Sequence, residues 1–270
     1  MQFERLNGIT LHYQTIGDPA EKPLLVFVNS LGTDFRIWRD VVVRLVGRYA
    51  IVTYDKRGHG LSGIGDGEGS MDAHVRDLAA LLDHLGGRPA IICGLSVGGM
   101  IAMGLSAARP DLVRALILSD TAPRIGVAEH WNGRISAIGA NGIASIADSI
   151  LERWFTPGFR SPSNPAFDGY RNMLIRQPAA GYIAACAAIR DTDLTDTARG
   201  IGVPTLCVVG DQDGSTPPEL VAEMARLIPD ARYEVVPDAG HLPGIEQPDR
   251  VAAIVDAFVD AFNLRGPVDG

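Results

Sequence analysis

Along the chain, short apolar runs take turns with longer segments whose apolar residues recur every three or four positions. Residues 3–16 alternate between apolar and polar and are broken by Asn7-Gly8, the two-residue signal of a tight hairpin. Pro23 to Val28 is a continuous apolar run, as a strand covered on both faces requires. Trp38 to Leu45 carries a helical period, and Tyr49 to Tyr54 reads as the next strand. From Met71 to Leu85, the residues Val75, Leu78, Leu81, Leu82 and Leu85 fall at helical spacing, which predicts an amphipathic helix with His74 and His84 on or near its polar side. Ala90 to Cys93 is another buried strand, followed by a helix of small and apolar residues that Arg109-Pro110 stops, and Val113 to Leu118 is a further strand. Strand and helix in alternation predict an α/β protein with a mostly parallel, doubly wound sheet.

Between about Arg124 and Thr197 the strand-like runs stop, and short helical segments separated by Pro, Gly and Asn take over. An insertion of this kind after a sheet strand predicts a helical lid, with Trp131, Trp154 and Phe155 as exposed aromatics on it. The alternative is a peripheral helical decoration. The sheet resumes at Val203 to Val209, a helix is expected from Pro218 to Leu227, a strand from Ala231 to Val236 and a closing helix from Val251 to Phe262. The chain therefore divides into a core over residues 1–123 and 198–270 and a lid over 124–197, inserted after the sixth strand. Arg265 to Gly270 reads as a frayed end.

Composition narrows the function classes. With 270 residues, 46% hydrophobic and 21% charged, the chain has the make-up of a globular protein with one large core. The net charge is −8, and no basic run is present, which argues against a nucleic-acid partner. Of the 24 basic residues 22 are arginine, so any anion the protein binds needs a local arginine. The apolar runs are too short to span a bilayer and the N-terminus carries no apolar core of the secretory kind, so no membrane association is expected. Cys93, Cys186 and Cys207 are an odd number of thiols among apolar neighbours, which suits a reducing, cytoplasmic setting.

The candidate chemistry centres on Gly94-Leu95-Ser96-Val97-Gly98, between the Ala90 strand and the helix that follows. A serine at the apex of a sharp strand-to-helix turn has a strained backbone, and side chains two positions away on either side would collide with the neighbouring helix and strand; Gly94 and Gly98 remove them. The helix N-terminus then directs free N–H groups, that of Val97 first, at the place where an oxyanion would form. A second donor is expected from the loop Asn29-Ser30-Leu31-Gly32-Thr33-Asp34, which leaves the Pro23 strand; Leu31 is the candidate. A serine hydroxyl needs a base and the base an orienting carboxylate. His241, at the end of the last strand, is the candidate base, with His130 in the insertion its rival. Asp213 is the preferred acid, with Asp120 and Asp211 as alternatives. His59 lies in a polar turn before the serine and reads as a structural histidine held by local backbone. No metal-ligand spacing and no phosphate-binding glycine loop is found, so neither metal nor cofactor is expected.

These residues carry a family resemblance. The chain resembles the α/β-hydrolase fold from about residue 5 to 262 and, more narrowly, the 3-oxoadipate enol-lactonases. The narrower likeness rests on Asn29-Ser30-Leu31-Gly32-Thr33, Trp131-Asn-Gly-Arg134, Glu152-Arg-Trp-Phe-Thr-Pro157, Gly181 to Asp193 and Ser215-Thr-Pro-Pro218. Pro243-Gly244, where the family has a small polar pair, is a departure in a loop expected to border the site. The resemblance implies a small ring ester with a free carboxylate as substrate, in protocatechuate or catechol catabolism. It implies an acyl-enzyme on Ser96, with Arg134 the proposed cation for the carboxylate and Trp131 and Trp154 the apolar walls. Two other readings stand beside it: a general carboxylesterase or cofactor-free perhydrolase of the same fold, and a non-catalytic receptor. An intact Ser96, Asp213 and His241 argues against the last. The oligomeric state has no signal in the sequence.

Overall fold

The computed structural model describes residues 1–65 and 69–266. Its centre is one eight-stranded sheet built from β1 (Gln2–Leu6), β2 (Ile9–Ile16), β3 (Leu24–Val28), β4 (Ala50–Tyr54), β5 (Ala90–Leu95), β6 (Val113–Ser119), β7 (Thr205–Gly210) and β8 (Arg232–Val236). The spatial order is β1-β2-β4-β3-β5-β6-β7-β8. Only the β1–β2 and β2–β4 pairs are antiparallel. The opening hairpin turns on Asn7 and Gly8, both at positive φ (46° and 80°), as a two-residue turn matched to the strand twist requires. Strands β3, β4, β5 and β7 are buried along their whole length, which is why they read as unbroken apolar runs rather than alternating ones.

The helices of the core are α1 (Arg39–Leu45), α2 (Met71–His84) and α3 (Val97–Ala108), and, beyond β7, α9 (Pro218–Leu227), α10 (Pro243–Glu246) and α11 (Pro248–Ala261). Helices α1 and α11 pack together, as do α2 and α3. Between β6 and β7 lie α4 (Ala128–Asn141), α5 (Ala147–Trp154), α6 (Pro165–Ile175), α7 (Ala179–Arg190) and α8 (Thr195–Arg199). Among the described residues no helix is long and apolar enough to cross a membrane.

The inserted helices are tied to the core at several points. The Gly214 N–H donates to the Arg153 carbonyl (3.2 Å) and the Gly60 N–H to Gln177 Oε1 (2.9 Å). Glu246, on α10, accepts from the N–H and hydroxyl of Thr156 (3.1 and 2.6 Å) through one oxygen and from the Gly240 N–H (2.8 Å) through the other. One carboxylate thus joins the end of α5 to the loop that carries His241. Glu246→Ala orphans all three donors, and a fall of a few degrees in Tm, with a rise in KM as the insertion loosens, is the expected outcome of thermal scans and kinetics.

Four readings are corrected by the tertiary structure. Trp131, Trp154 and Phe155 are buried, not exposed, because the inserted helices fold onto the core and onto one another; Phe155 stacks on Phe159 with centroids 4.5 Å apart. His74 is buried too: α7 covers that side of α2, so the face that looked polar in isolation is an interface. Pro243-Gly244 opens α10, with Gly244 against Val41 and Trp38, and neither residue lines the cavity that holds Ser96 and His241. Of the stretch expected to fray, Arg265 and Gly266 are held, the first by Asp260 and Asp256 and the second by Arg114; residues 267–270 lie outside the described part.

Candidate active site

The site grows from the turn between β5 and α3. Ser96 stands at φ 58°, ψ −121°, a conformation that costs an L residue free energy and persists because the surroundings over-determine it. Its N–H donates to the Ser119 carbonyl (3.0 Å), and its carbonyl accepts from the Thr121 hydroxyl (2.7 Å). The flanking glycines have a steric cause. A Cβ on Gly98 would lie 2.2 Å from the Val28 carbonyl oxygen, and one on Gly94 2.3 Å from that of Gly98. Helix α3 therefore abuts the end of β3 closely enough to bring its N-terminus beside the Asn29–Asp34 loop. The first N–H groups of a helix have no partner within it, and Val97 is the first residue of α3.

That loop is pinned from below. Asn29 Nδ2 donates to the Thr33 carbonyl (2.6 Å), and the Gly32 N–H donates to His59 Nε2 (3.0 Å). His59 is indeed held by backbone, with Nδ1 3.2 Å from the Arg57 carbonyl; its burial, then Lys56 beside it, keeps it neutral by depressing its pKa well below the usual range. Leu31 lines the same cavity as Ser96.

At the far end of the sheet, His241 Nδ1 lies 2.9 Å from Asp213 Oδ2, both buried. Asp213 also accepts from the Ser215 and Thr216 N–H groups (2.7 and 3.1 Å) and from the Thr216 hydroxyl (2.7 Å). Burial works against the charge on Asp213, but His241 and these donors outweigh it and hold the carboxyl below its ordinary range. The other two candidate acids are placed differently. Asp211 accepts from the Ala239 N–H (3.1 Å) and braces the turn before the histidine. Asp120 is fully buried at φ 48°, with Gly210 N–H on one oxygen (2.9 Å) and the Ser119 hydroxyl on the other (2.6 Å). Burial, then the charge of Asp213, push its carboxyl well above the ordinary range. One ligand atom each of Asp120, Asp213 and His241 lie within 4.8 Å of one another, but protein donors already occupy both carboxyl groups, and the trio reads as a hydrogen-bonded network rather than a cation site.

Ser96, at 8% exposure, and His241 share a cavity of about 80 Å³. The inserted helices roof it with Trp131, Arg134, Arg153, Trp154 and Tyr182. Trp131 is fixed by its indole N–H, which donates to the Ile125 carbonyl (2.7 Å), and Arg134 lies over its ring, 4.9 Å from the centroid. Arg134 also donates to His130 Nε2 (3.3 Å); His130 thus sits at the cavity rim without a carboxylate, unlike His241. Arg153 donates to the Ser149 carbonyl (3.2 Å), and burial, then the charge of Arg134, lower its pKa. Neither arginine has an acidic partner among the described residues. The buried Tyr182 hydroxyl, in the field of Arg134, also lacks one.

Sequence reading therefore named the cavity's floor and part of its roof but missed Arg153, Tyr182 and Glu246. Their neighbours in sequence had marked the segments; what marks these residues individually is the set of distant groups the fold brings against them, which no periodicity records.

Residues 23–248 match the family described as alpha/beta hydrolase fold. The chain is 33% identical to 3-oxoadipate enol-lactonase 2 of Acinetobacter baylyi, covering 94% of this chain and 95% of that one. The crystal structure of the enol-lactonase from Burkholderia xenovorans LB400 superposes with a TM-score of 0.92 at 33% identity, covering 96% of this chain and all of that one. A thermophilic esterase from Thermogutta terrifontis, with malate bound, superposes at 0.90 and 28% identity, covering 97% and 99%.

Proposed function

The chain belongs to the alpha/beta hydrolase fold family, and on that premise we propose that it is a cytoplasmic serine hydrolase opening 3-oxoadipate enol-lactone to 3-oxoadipate. The observation that carries the substrate is the pair Arg134 and Arg153, which share the Ser96–His241 cavity without an acidic partner among the described residues. Two like charges under one roof repel each other, and a carboxylate between them relieves the repulsion while satisfying both guanidinium groups. A small ester or lactone with a free carboxylate answers that demand. A cavity of about 80 Å³, walled by Trp131 and Trp154, disfavours long acyl chains. The likeness to enol-lactonases supports the same substrate.

In this reading Ser96 Oγ attacks the lactone carbonyl as His241 takes its proton, and Asp213 holds the imidazole tautomer with Nδ1–H towards itself. The N–H groups of Leu31 and Val97 receive the oxyanion. Collapse breaks the ring C–O bond and expels an enolate, a better leaving group than an alkoxide, which takes up a proton and becomes the ketone. Water, deprotonated by His241, then attacks the acyl-enzyme, and 3-oxoadipate leaves as Ser96 recovers its proton. Three buried, unbridged cysteines suit a reducing cytoplasm.

The test compares the enol-lactone with a neutral ester, p-nitrophenyl acetate. Arg134→Ala and Arg153→Ala are each expected to raise KM for the lactone about 10- to 100-fold, the worth of a hydrogen bond to a charged group, and to change it less than twofold for the ester. Equal effects on both substrates would remove the arginines from carboxylate binding. A wild-type protein that cleaves the ester and leaves the lactone intact would leave a carboxylesterase or perhydrolase in its place.

A further inference from the structure

Beneath the Asn29–Asp34 loop lies a lysine that the mechanism above does not use. Lys56 is one of only two lysines in the chain, against 22 arginines, and it is completely buried (0% exposed). Its Nζ donates to the Ser30 carbonyl at 2.5 Å. That carbonyl also accepts from the Thr33 hydroxyl (2.8 Å) and, more distantly, from the Thr33 N–H (3.4 Å). The Ser30 C=O and the Leu31 N–H are the two ends of one peptide unit. An amide whose oxygen is hydrogen-bonded by a cation has more C=N character, and its N–H becomes a stronger donor.

We infer that Lys56 is a positioning residue that sets the strength of the oxyanion-stabilising Leu31 N–H by hydrogen-bonding the carbonyl of the same peptide unit. The inference rests on the proposed serine-hydrolase reading and goes beyond it, because it makes the oxyanion hole adjustable. An arginine could not serve in this way, since its guanidinium stays charged throughout the working pH range, whereas a buried ammonium can lose its proton. The surroundings permit that loss. Burial lowers the Lys56 pKa to about 7, against the opposing pull of Asp55 and Asp34. The remaining neighbours hold their states. His59 and His74 are kept neutral by burial and by Lys56 itself, His74 at about 3, and Arg57 is paired with Asp77 (2.6 Å). Protonated Lys56 polarises the peptide; neutral Lys56 still bridges it but without the charge. Activity therefore falls as pH rises through the Lys56 value of about 7.

The experiment is kcat against pH from 5.5 to 9.5 with p-nitrophenyl acetate as the probe, read at the isosbestic wavelength of p-nitrophenol. Wild type, Lys56→Met, Lys56→Gln and Thr33→Val are compared, each with its Tm. The wild type is expected to lose about five- to tenfold in kcat through a descending limb centred near pH 7 and then to level off, a fraction of what removing a whole oxyanion donor costs. Both Lys56 variants are expected to lack that limb, Lys56→Gln remaining near the wild-type alkaline level and Lys56→Met, which donates nothing to the Ser30 carbonyl, lying a few-fold below it, with KM within about twofold. Thr33→Val, which removes a neutral donor from the same carbonyl, should lower kcat a few-fold and leave the limb where it is. A descending limb that survives in either Lys56 variant overturns the inference, as does a fall in KM and kcat together. Should neither variant fold, a wild-type kcat that stays flat between pH 6.5 and 9 overturns it alone. Turnover that persists in Ser96→Ala would instead overturn the underlying reading of the site, so the two failures are distinct.

Discussion

Replacing Ser96 by alanine is expected to lower kcat on the enol-lactone by a factor on the order of 10⁴ to 10⁶ and to leave Tm unchanged. The size follows from the loss of the covalent route: without Oγ the remaining donors and the base can only direct water at the ring carbonyl, which leaves a residual catalysis from binding and oxyanion stabilisation. The unchanged Tm follows from the backbone. Serine and alanine meet the same steric cost at φ 58°, and the main-chain bonds to Ser119 and Thr121 do not involve the side chain. The measurement is ultraviolet loss of the lactone, with a serine-directed phosphonate as a second probe: rapid labelling of the wild type and none of the variant. A variant that still opens the lactone within tenfold of wild type would transfer the nucleophile elsewhere.

The second large effect separates two neighbouring acids. Asp213→Asn should lower kcat by about 10⁴, since the amide can present an N–H to His241 Nδ1 and favour the wrong tautomer. Asp120→Asn, only a few ångströms away, should change kcat less than about threefold, because burial and the charge of Asp213 favour the protonated form of Asp120, of which asparagine is the isostere. Stability distinguishes them as well. Asp213 has a folded-state pKa below its unfolded value near 4, so its contribution is present above that value and lost as pH falls through the folded one. Asp120 has a raised folded-state pKa. The fold retains a proton that the unfolded chain releases above about pH 4, and stability declines as pH rises through that window. Asp120→Asn should therefore match or exceed the wild-type Tm at pH 8, the difference shrinking towards pH 4. A large loss of activity in Asp120→Asn with full activity in Asp213→Asn would exchange their roles.

The alternation of apolar runs and helical periods was enough to place all eight strands of the sheet within a residue or two, because a strand buried on both faces must be apolar throughout and a hairpin at Asn7-Gly8 needs positive φ. The Gly94–Gly98 turn was legible for a similar reason. Its glycines answer to backbone atoms of adjoining elements, and that constraint admits no other residue. His241 and Asp213 could be named as candidates because each follows a strand ending at one edge of the sheet, and the fold brings the two within 2.9 Å of each other. The local pattern misled where burial comes from a distant segment. Trp131, Trp154 and His74 looked solvent-facing on their own helices and are buried by other segments of the fold, the first and last on helices that α7 packs against and Trp154 beside the Gly32 loop.

By itself, then, the sequence determined the sheet, the sharp turn at Ser96 and the chain order of the candidate nucleophile, acid and base, all of which follow from short-range sterics and periodicity. Only the tertiary structure decided which carboxyl is held below its ordinary range and which is pushed above it, which two arginines share a cavity, and that one lysine lies buried under the Ser30–Leu31 peptide. Those properties depend on desolvation and on charges brought together from separate segments. The same aspartate, arginine or lysine acquires them only when the fold removes water and supplies a partner or withholds one.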